Sequence, residues 1–375
     1  MKKNVVSYLL PLFSAAFAQV AGEAPPGTEA VQYGCRVTPD YVCNDNNCNG
    51  NYYSFSDIDY GRNGATFEVG VACMWLQPFA SNLSYAARTT NLTDSGLPSW
   101  VIKEQNPDYS FGYDANVRAF FDCTNSWVAV NYQNFHANHE THFTVTDDNY
   151  WVAPLSNITT DFQDRKVALA NVRYTFDEVN VDYGFSVDFC KRLRASLFGG
   201  ITYAGIRQTL IRTFSTADGL ISNQFRVPSK FTGIGPQIGI EFAYKVWNCF
   251  DLTGKTSAGL LVGRAQNHSQ VRTFSPALES SDPNIQRIYD KTRDAAIPAF
   301  EQRLGLAFNY VFCGCYDFTV EGGYQAKVYL NAFESVDIDN FNTFSSTTTV
   351  FVESFKKTSS NFVLAGPYLN CTLAF

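Results

Sequence analysis

Along most of the chain apolar and polar residues alternate with a period of two, the spacing at which successive side chains leave a β-strand on opposite faces. Phe111, Tyr113, Ala115, Val117, Ala119 and Phe121 face away from Gly112, Asp114, Asn116, Arg118 and Asp122. Val181, Tyr183, Phe185, Val187 and Phe189 oppose Asn180, Asp182, Gly184, Ser186 and Asp188. Ile234, Ile238, Ile240, Phe242, Tyr244 and Val246 oppose Gly233, Gly235, Gln237, Gly239, Glu241 and Lys245. Phe300, Leu304, Leu306 and Phe308 oppose Glu301, Arg303, Gly305 and Asn309, and Phe318, Val320, Tyr324 and Val328 oppose Asp317, Thr319, Glu321, Gln325 and Lys327. These stretches come in pairs hinged on short turns that carry cysteine: Asp122-Cys123-Thr124-Asn125-Ser126, Cys190-Lys191-Arg192, Trp247-Asn248-Cys249 and Cys313-Gly314-Cys315. Each pair reads as a long β-hairpin.

Between the pairs lie polar connections, roughly residues 78 to 108, 137 to 165, 215 to 228, 269 to 297 and 332 to 360. Short turns alternating with long connections predict an all-β fold, a transmembrane antiparallel β-barrel of about ten strands (8–12) with short periplasmic turns and long extracellular loops. A soluble β-sandwich also alternates, but its strands usually run to about five or six residues. Several stretches here reach the length that a tilted membrane crossing needs. The terminal segment Leu369-Asn370-Cys371-Thr372-Leu373-Ala374-Phe375 resembles the assembly signal of outer-membrane barrels.

Composition agrees with a barrel. Only 17% of residues are charged, 15% are aromatic, and mean hydropathy is slightly negative. No helix-length apolar run follows the N-terminus, so spanning helices are not expected. Met1-Lys2-Lys3-Asn4, an apolar run from Val5 to Phe17 and the small-x-small Ala16-Phe17-Ala18 predict a signal peptide over residues 1–18, in preference to an anchoring helix. Residues 19–64 form a Cys-containing irregular segment, and 65–375 the barrel, which places the protein in the bacterial outer membrane.

The polar faces give fourteen candidates for lining a pore: Asp114, Arg118, Asp122, Asp182, Asp188, Glu241, Lys245, Asp251, Lys255, Glu301, Arg303, Asp317, Glu321 and Lys327. Charges of both signs in a confined lumen filter solutes by charge; they equally fill a small barrel without passing anything. Passive diffusion of small hydrophilic solutes is the expected work. A structural or surface-interaction barrel with little or no open pore is the alternative.

Ten cysteines in an exported chain point to oxidation. Cys35, Cys43, Cys48, Cys123, Cys190, Cys249, Cys313 and Cys315 are the disulfide candidates, within the chain or to neighbours. The expected partners are outer-membrane lipid, a homo-oligomer or disulfide-linked envelope proteins, and small solutes. Net charge of -7 disfavours nucleic acid. His136, His139 and His142 cluster, but in an extended segment the middle one points away from the others, so no metal and no cofactor is expected. No nucleophile motif surrounds any Ser or His, and no catalytic residue is assigned. Trp75, Trp127, Trp151, Tyr310 and Tyr324 suit the aromatic girdles at the membrane interfaces.

Phe67-Glu68-Val69-Gly70-Val71 through Trp75-Leu76-Gln77-Pro78, Val181-Asp182-Tyr183-Gly184 through Arg192-Leu193-Arg194, Phe198-Gly199-Gly200, Ala204-Gly205-Ile206-Arg207-Gln208 and Phe231-Thr232-Gly233-Ile234-Gly235-Pro236 resemble the Legionella-type major outer membrane protein family, also seen in chlamydia-related bacteria. The resemblance covers most of residues 65 to 375 and rests on glycines and aromatics. It implies an abundant barrel acting as a porin, often held in disulfide-linked complexes.

Overall fold

The alternating segments close on themselves. The computed structural model describes residues 65–90, 100–121, 125–147, 150–154, 165–190, 192–247, 249–274, 284–289, 292–312, 316–343 and 350–375. The predicted signal peptide, the irregular segment to residue 64, Asp122, Cys123, Cys313 and Cys315 lie outside them. In chain order the described strands are β1 (Ala65–Ala80), β2 (Ser84–Thr90), β3 (Trp100–Glu104), β4 (Ser110–Phe121), β5 (Ser126–Thr144), β6 (Tyr150–Ala153), β7 (Arg165–Cys190), β8 (Leu193–Thr216), β9 (Ile221–Trp247), β10 (Phe250–Thr273), β11 (Asn284–Tyr289), β12 (Arg293–Phe312), β13 (Tyr316–Thr343) and β14 (Val350–Ala374).

Ten of these pair antiparallel in a ring, β1-β4-β5-β7-β8-β9-β10-β12-β13-β14, closed where Val69 meets Leu373 and Val71 meets Cys371. Closure leaves none of the ten with an unpaired edge at membrane depth, the condition for backbone polar groups to survive in lipid. β11 adds to the upper part of β10, and β2, β3 and β6 form a small separate sheet. That sheet sets Tyr85, Ala86 and Val152 against Ala168, Ala170, Phe214, Phe225 and Val271, so it packs into the end of the ring away from the short turns. Buried Gln105 fastens it, donating from Nε2 to the carbonyls of His139 (2.8 Å) and Ala170 (3.3 Å).

The strands are longer than a bilayer requires. β7 to β10 run 24 to 27 residues each, against about 9–11 for a tilted crossing. Much of what reads as long polar loop in the sequence is therefore strand: β5 continues to Thr144, β9 begins at Ile221 and β13 continues to Thr343. The connection expected over 215 to 228 shrinks to a tight turn in which Gly219 takes φ of 86°, a conformation that favours glycine.

The alternation inverts part of the way up. Near the short turns the apolar residues point outward, as with Val181, Tyr183 and Phe185 on β7 and Leu197 and Ile201 on β8. Further up the same strands the apolar residues point inward: Val172, Tyr174 and Phe176 on β7, and Ile206, Leu210 and Phe214 on β8. β9 does the same, with Ile234 and Ile238 outward below and Phe225, Val227 and Phe231 inward above. Lipid surrounds the lower storey and water the upper, so the face that must be apolar changes sides.

Candidate functional site

The inward charges of the lower storey meet in the lumen. Lys327 on β13 places Nζ 2.6 Å from Glu178 Oε1 on β7 and 3.5 Å from Glu301 Oε1 on β12. Asn180 Nδ2 donates to Glu178 Oε1 (2.7 Å), and the Tyr329 hydroxyl donates to its other oxygen. Arg118 on β4 reaches across to Glu241 on β9 at 3.1 Å, and Lys255 stands 3.6 Å from the same carboxylate. The Arg118 guanidinium also lies 4.3 Å over the Trp127 ring, and Lys255 Nζ lies 5.0 Å over Phe198. Arg303 covers the Tyr368 ring at 3.9 Å, while the Tyr368 hydroxyl and Thr253 Oγ1 (3.0 Å) donate to Glu321. Asn131 Nδ2 donates to Asp114 (2.7 Å) and Gln237 Nε2 to Asp182.

Of the fourteen candidates, Asp114, Arg118, Asp182, Glu241, Lys255, Glu301, Arg303, Glu321 and Lys327 thus come together as one polar layer. Asp251, held by Asn309 Nδ2 at 2.7 Å, sits toward the short-turn end with Asp317. Asp188 pairs there with Arg194 at 2.8 Å, half-exposed, and Lys245 joins the end of β9. Glu178, Tyr329 and Tyr368 also face the lumen and escaped the sequence reading. Glu178 lies just above Asn180, where the inward face turns apolar at Phe176, so the period there no longer marks it as lumen.

Directly above the ions is a stack of rings. Phe362 on β14 lies 5.7 Å from Tyr174, 6.0 Å from Phe176, 6.1 Å from Tyr329 and 5.2 Å from Phe333, centroid to centroid. A cavity of about 20 Å³ beside the ions is lined by Glu178, Thr202, Gln237, Glu301, Lys327 and Tyr329 among others. That is room for little more than one water.

Other candidates separate. His136 and His142 face outward on β5 and His139 inward, its Nδ1 3.5 Å from Asp108 Oδ2. Among the described residues no group of His, Cys, Asp and Glu is placed to hold a metal ion. Cys249 lies at the short-turn end, its carbonyl accepting the Asn309 amide (3.0 Å), and Cys190 ends β7. Trp75, Tyr310 and Tyr324 face outward as the girdle reading has it, but Trp127 and Trp151 are buried. Trp127 fills the lumen opposite Gly184, and Trp151 lies in the small upper sheet.

A closed ring of ten antiparallel strands, apolar outside and charged within, defines an outer-membrane β-barrel protein. The chain belongs to the family described as the Legionella pneumophila major outer membrane protein precursor, whose family model matches residues 62–375. No curated protein sequence matches it. Solved structures similar to it include the outer membrane protease OmpT from Escherichia coli, with 10% identity over 83% of this chain and 96% of that one and a TM-score of 0.41. The Pseudomonas putida toluene transporter TodX (8% identity, 85% and 90% covered, TM-score 0.30) and the translocator domain of the autotransporter NalP from Neisseria meningitidis (9%, 84% and 89%, 0.30) are others. The expectation of passive diffusion of hydrophilic solutes is corrected by the geometry: the ion layer and the ring stack occupy the lumen that such a path would need.

Proposed function

We propose that the chain works as a closed membrane-embedded platform, which carries a second, apolar-cored storey of sheet above the bilayer and meets other molecules through its surfaces. The observation that carries this reading is Lys327, bound to Glu178 across the lumen beneath the Phe362 ring stack. Side chains of both signs that meet across a small barrel fill it in place of a hydrated path. In this reading the chain performs no chemistry of its own. Purified protein inserted in planar bilayers is expected to show no discrete conductance steps above leak; reproducible unitary steps would sink the proposal. Membrane lipid is the partner this reading requires. Linkage to other copies or to envelope proteins is tested separately, by loss of higher bands on non-reducing gels when Cys123, Cys190, Cys313 and Cys315 become Ser.

A further inference from the structure

A row of cations crosses the outer face where the lipid-facing storey ends. Arg207 on β8 pairs directly with Lys230 on β9. Lys230 pairs with Gln266 on β10, two residues from Arg264, and Arg173 on β7 pairs with Thr209, two residues from Arg207. All four side chains are exposed. The stepping from β7 down to β10 follows strand tilt, and the opposite rim drifts the same way: β9 runs past Tyr244, the partner of Leu193, to Trp247. The row therefore runs level with the membrane edge. Immediately below it stand Tyr203, Ile234 and Val262, in register with one another and exposed at 43%, 56% and 55%.

Among the described residues no ion pair joins these four cations to an acid. Arg173 Nε donates to Asn138 Oδ1 (3.2 Å), and the outward acids near the row stand at its two ends: at one, Glu140, two residues from Asn138 and accepting from Asn171 Nδ2 (3.4 Å), with Asp177, held by Asn134 Nδ2 (2.6 Å); at the other, Asp294, opposite Arg264 in register. Short turns are periplasmic in such barrels, so this row sits at the outer leaflet. Cations in a line above an exposed apolar face match an amphiphile with anionic oxygens at its head and acyl chains below. Arginine forks bind the oxygens of such a phosphate head two at a time.

We infer that Arg173, Arg207, Lys230 and Arg264 form a docking site for the phosphates of an acylated glycolipid of the outer leaflet, whose chains lie along Tyr203, Ile234 and Val262. The site belongs to the outer wall and does not depend on whether the lumen is closed.

The test uses the full chain folded in neutral detergent micelles and native mass spectrometry with three probes: bisphosphorylated lipid A, the same lipid after phosphatase treatment, and inorganic phosphate. Retention of the bisphosphorylated lipid is expected, weakening with salt. Each neutralised cation should cost about fivefold in affinity, so Arg207→Gln, Lys230→Gln and Arg264→Gln combined should cost on the order of a hundredfold. Arg287→Gln, an exposed cation on β11, should change nothing. If the triple variant fails to fold, as judged by its heat-modifiable gel shift, Lys230→Gln alone carries the test. Equal retention of the dephosphorylated lipid, undiminished binding by the variants, or displacement by inorganic phosphate at the lipid's own concentration would overturn the inference.

Discussion

Lys327 and Glu178 join diametrically opposite walls of the barrel. Five strand steps separate β13 from β7 in either direction around the ring, yet Nζ and Oε1 are 2.6 Å apart and both side chains are 4% exposed. A contact across the full diameter is a cross-brace.

Because the pair is buried, breaking it strands charge. Lys327→Met leaves Glu178 and Glu301 without their shared cation, and the loss expected is about 3–5 kcal/mol. Urea unfolding in micelles, followed by the gel shift, measures it. Arg194→Met breaks a pair of similar length, Arg194–Asp188, whose members are 26% and 51% exposed; there the loss should stay within about 1 kcal/mol. Equal effects at the two sites would refute a cross-brace.

Where the lipid belt ends is open to a second measurement on one strand. Leu197 and Thr209 both point outward on β8, one below Tyr203 and the other above it. Leu197→Lys should destabilise the barrel in bilayers by about 2–4 kcal/mol, as cations do on a lipid face near mid-depth. Thr209→Lys should fall within about 0.5 kcal/mol of wild type. A large penalty at Thr209 would move the membrane edge upward.

The lower storey was legible in the sequence because one face of each strand there meets lipid and the other a polar lumen, which gives a clean period of two. The ten-strand ring and the inward side of Asp182, Glu241, Glu301 and Lys327 follow from it. The upper storey was not legible, for a physical reason. At Phe176 and Ile206 the apolar residues change face without any break in the strand, so a reader who follows one phase sees the pattern end and takes the rest for loop. Cross-lumen contacts such as Arg118 to Glu241 depend on the ring's closure and have no local signal at all. Trp127 misled for a related reason: its aromatic ring suits an interface, but its place beside Gly184 is set by register.

That register gives a third prediction. A methyl group on Gly184 would overlap the Trp127 indole and approach the Leu197 carbonyl at 2.9 Å. Gly184→Ala should therefore cost about 1–3 kcal/mol, the usual penalty of overpacking. At Gly205 the nearest atom to such a methyl is the Asp177 carbonyl oxygen at 3.9 Å, so Gly205→Ala should be neutral or stabilising by up to about 1 kcal/mol through the unfolded chain. Paired unfolding curves decide it, and a neutral Gly184→Ala would mean that Trp127 has another place to go.

Phe362 separates the cost of closure from closure itself. Its ring touches Tyr174, Phe176, Tyr329 and Phe333, so Phe362→Ala removes the centre of the stack and should lose about 3–5 kcal/mol of stability. The ion layer beneath is built from β4, β7, β9, β10, β12 and β13, none of which supplies Phe362, and Lys327 keeps both its carboxylates. Two barriers in series stay shut while either remains, so the variant should be less stable than wild type and still silent in planar bilayers. Discrete conductance from Phe362→Ala alone would show that the rings, and not the ions, hold the lumen closed.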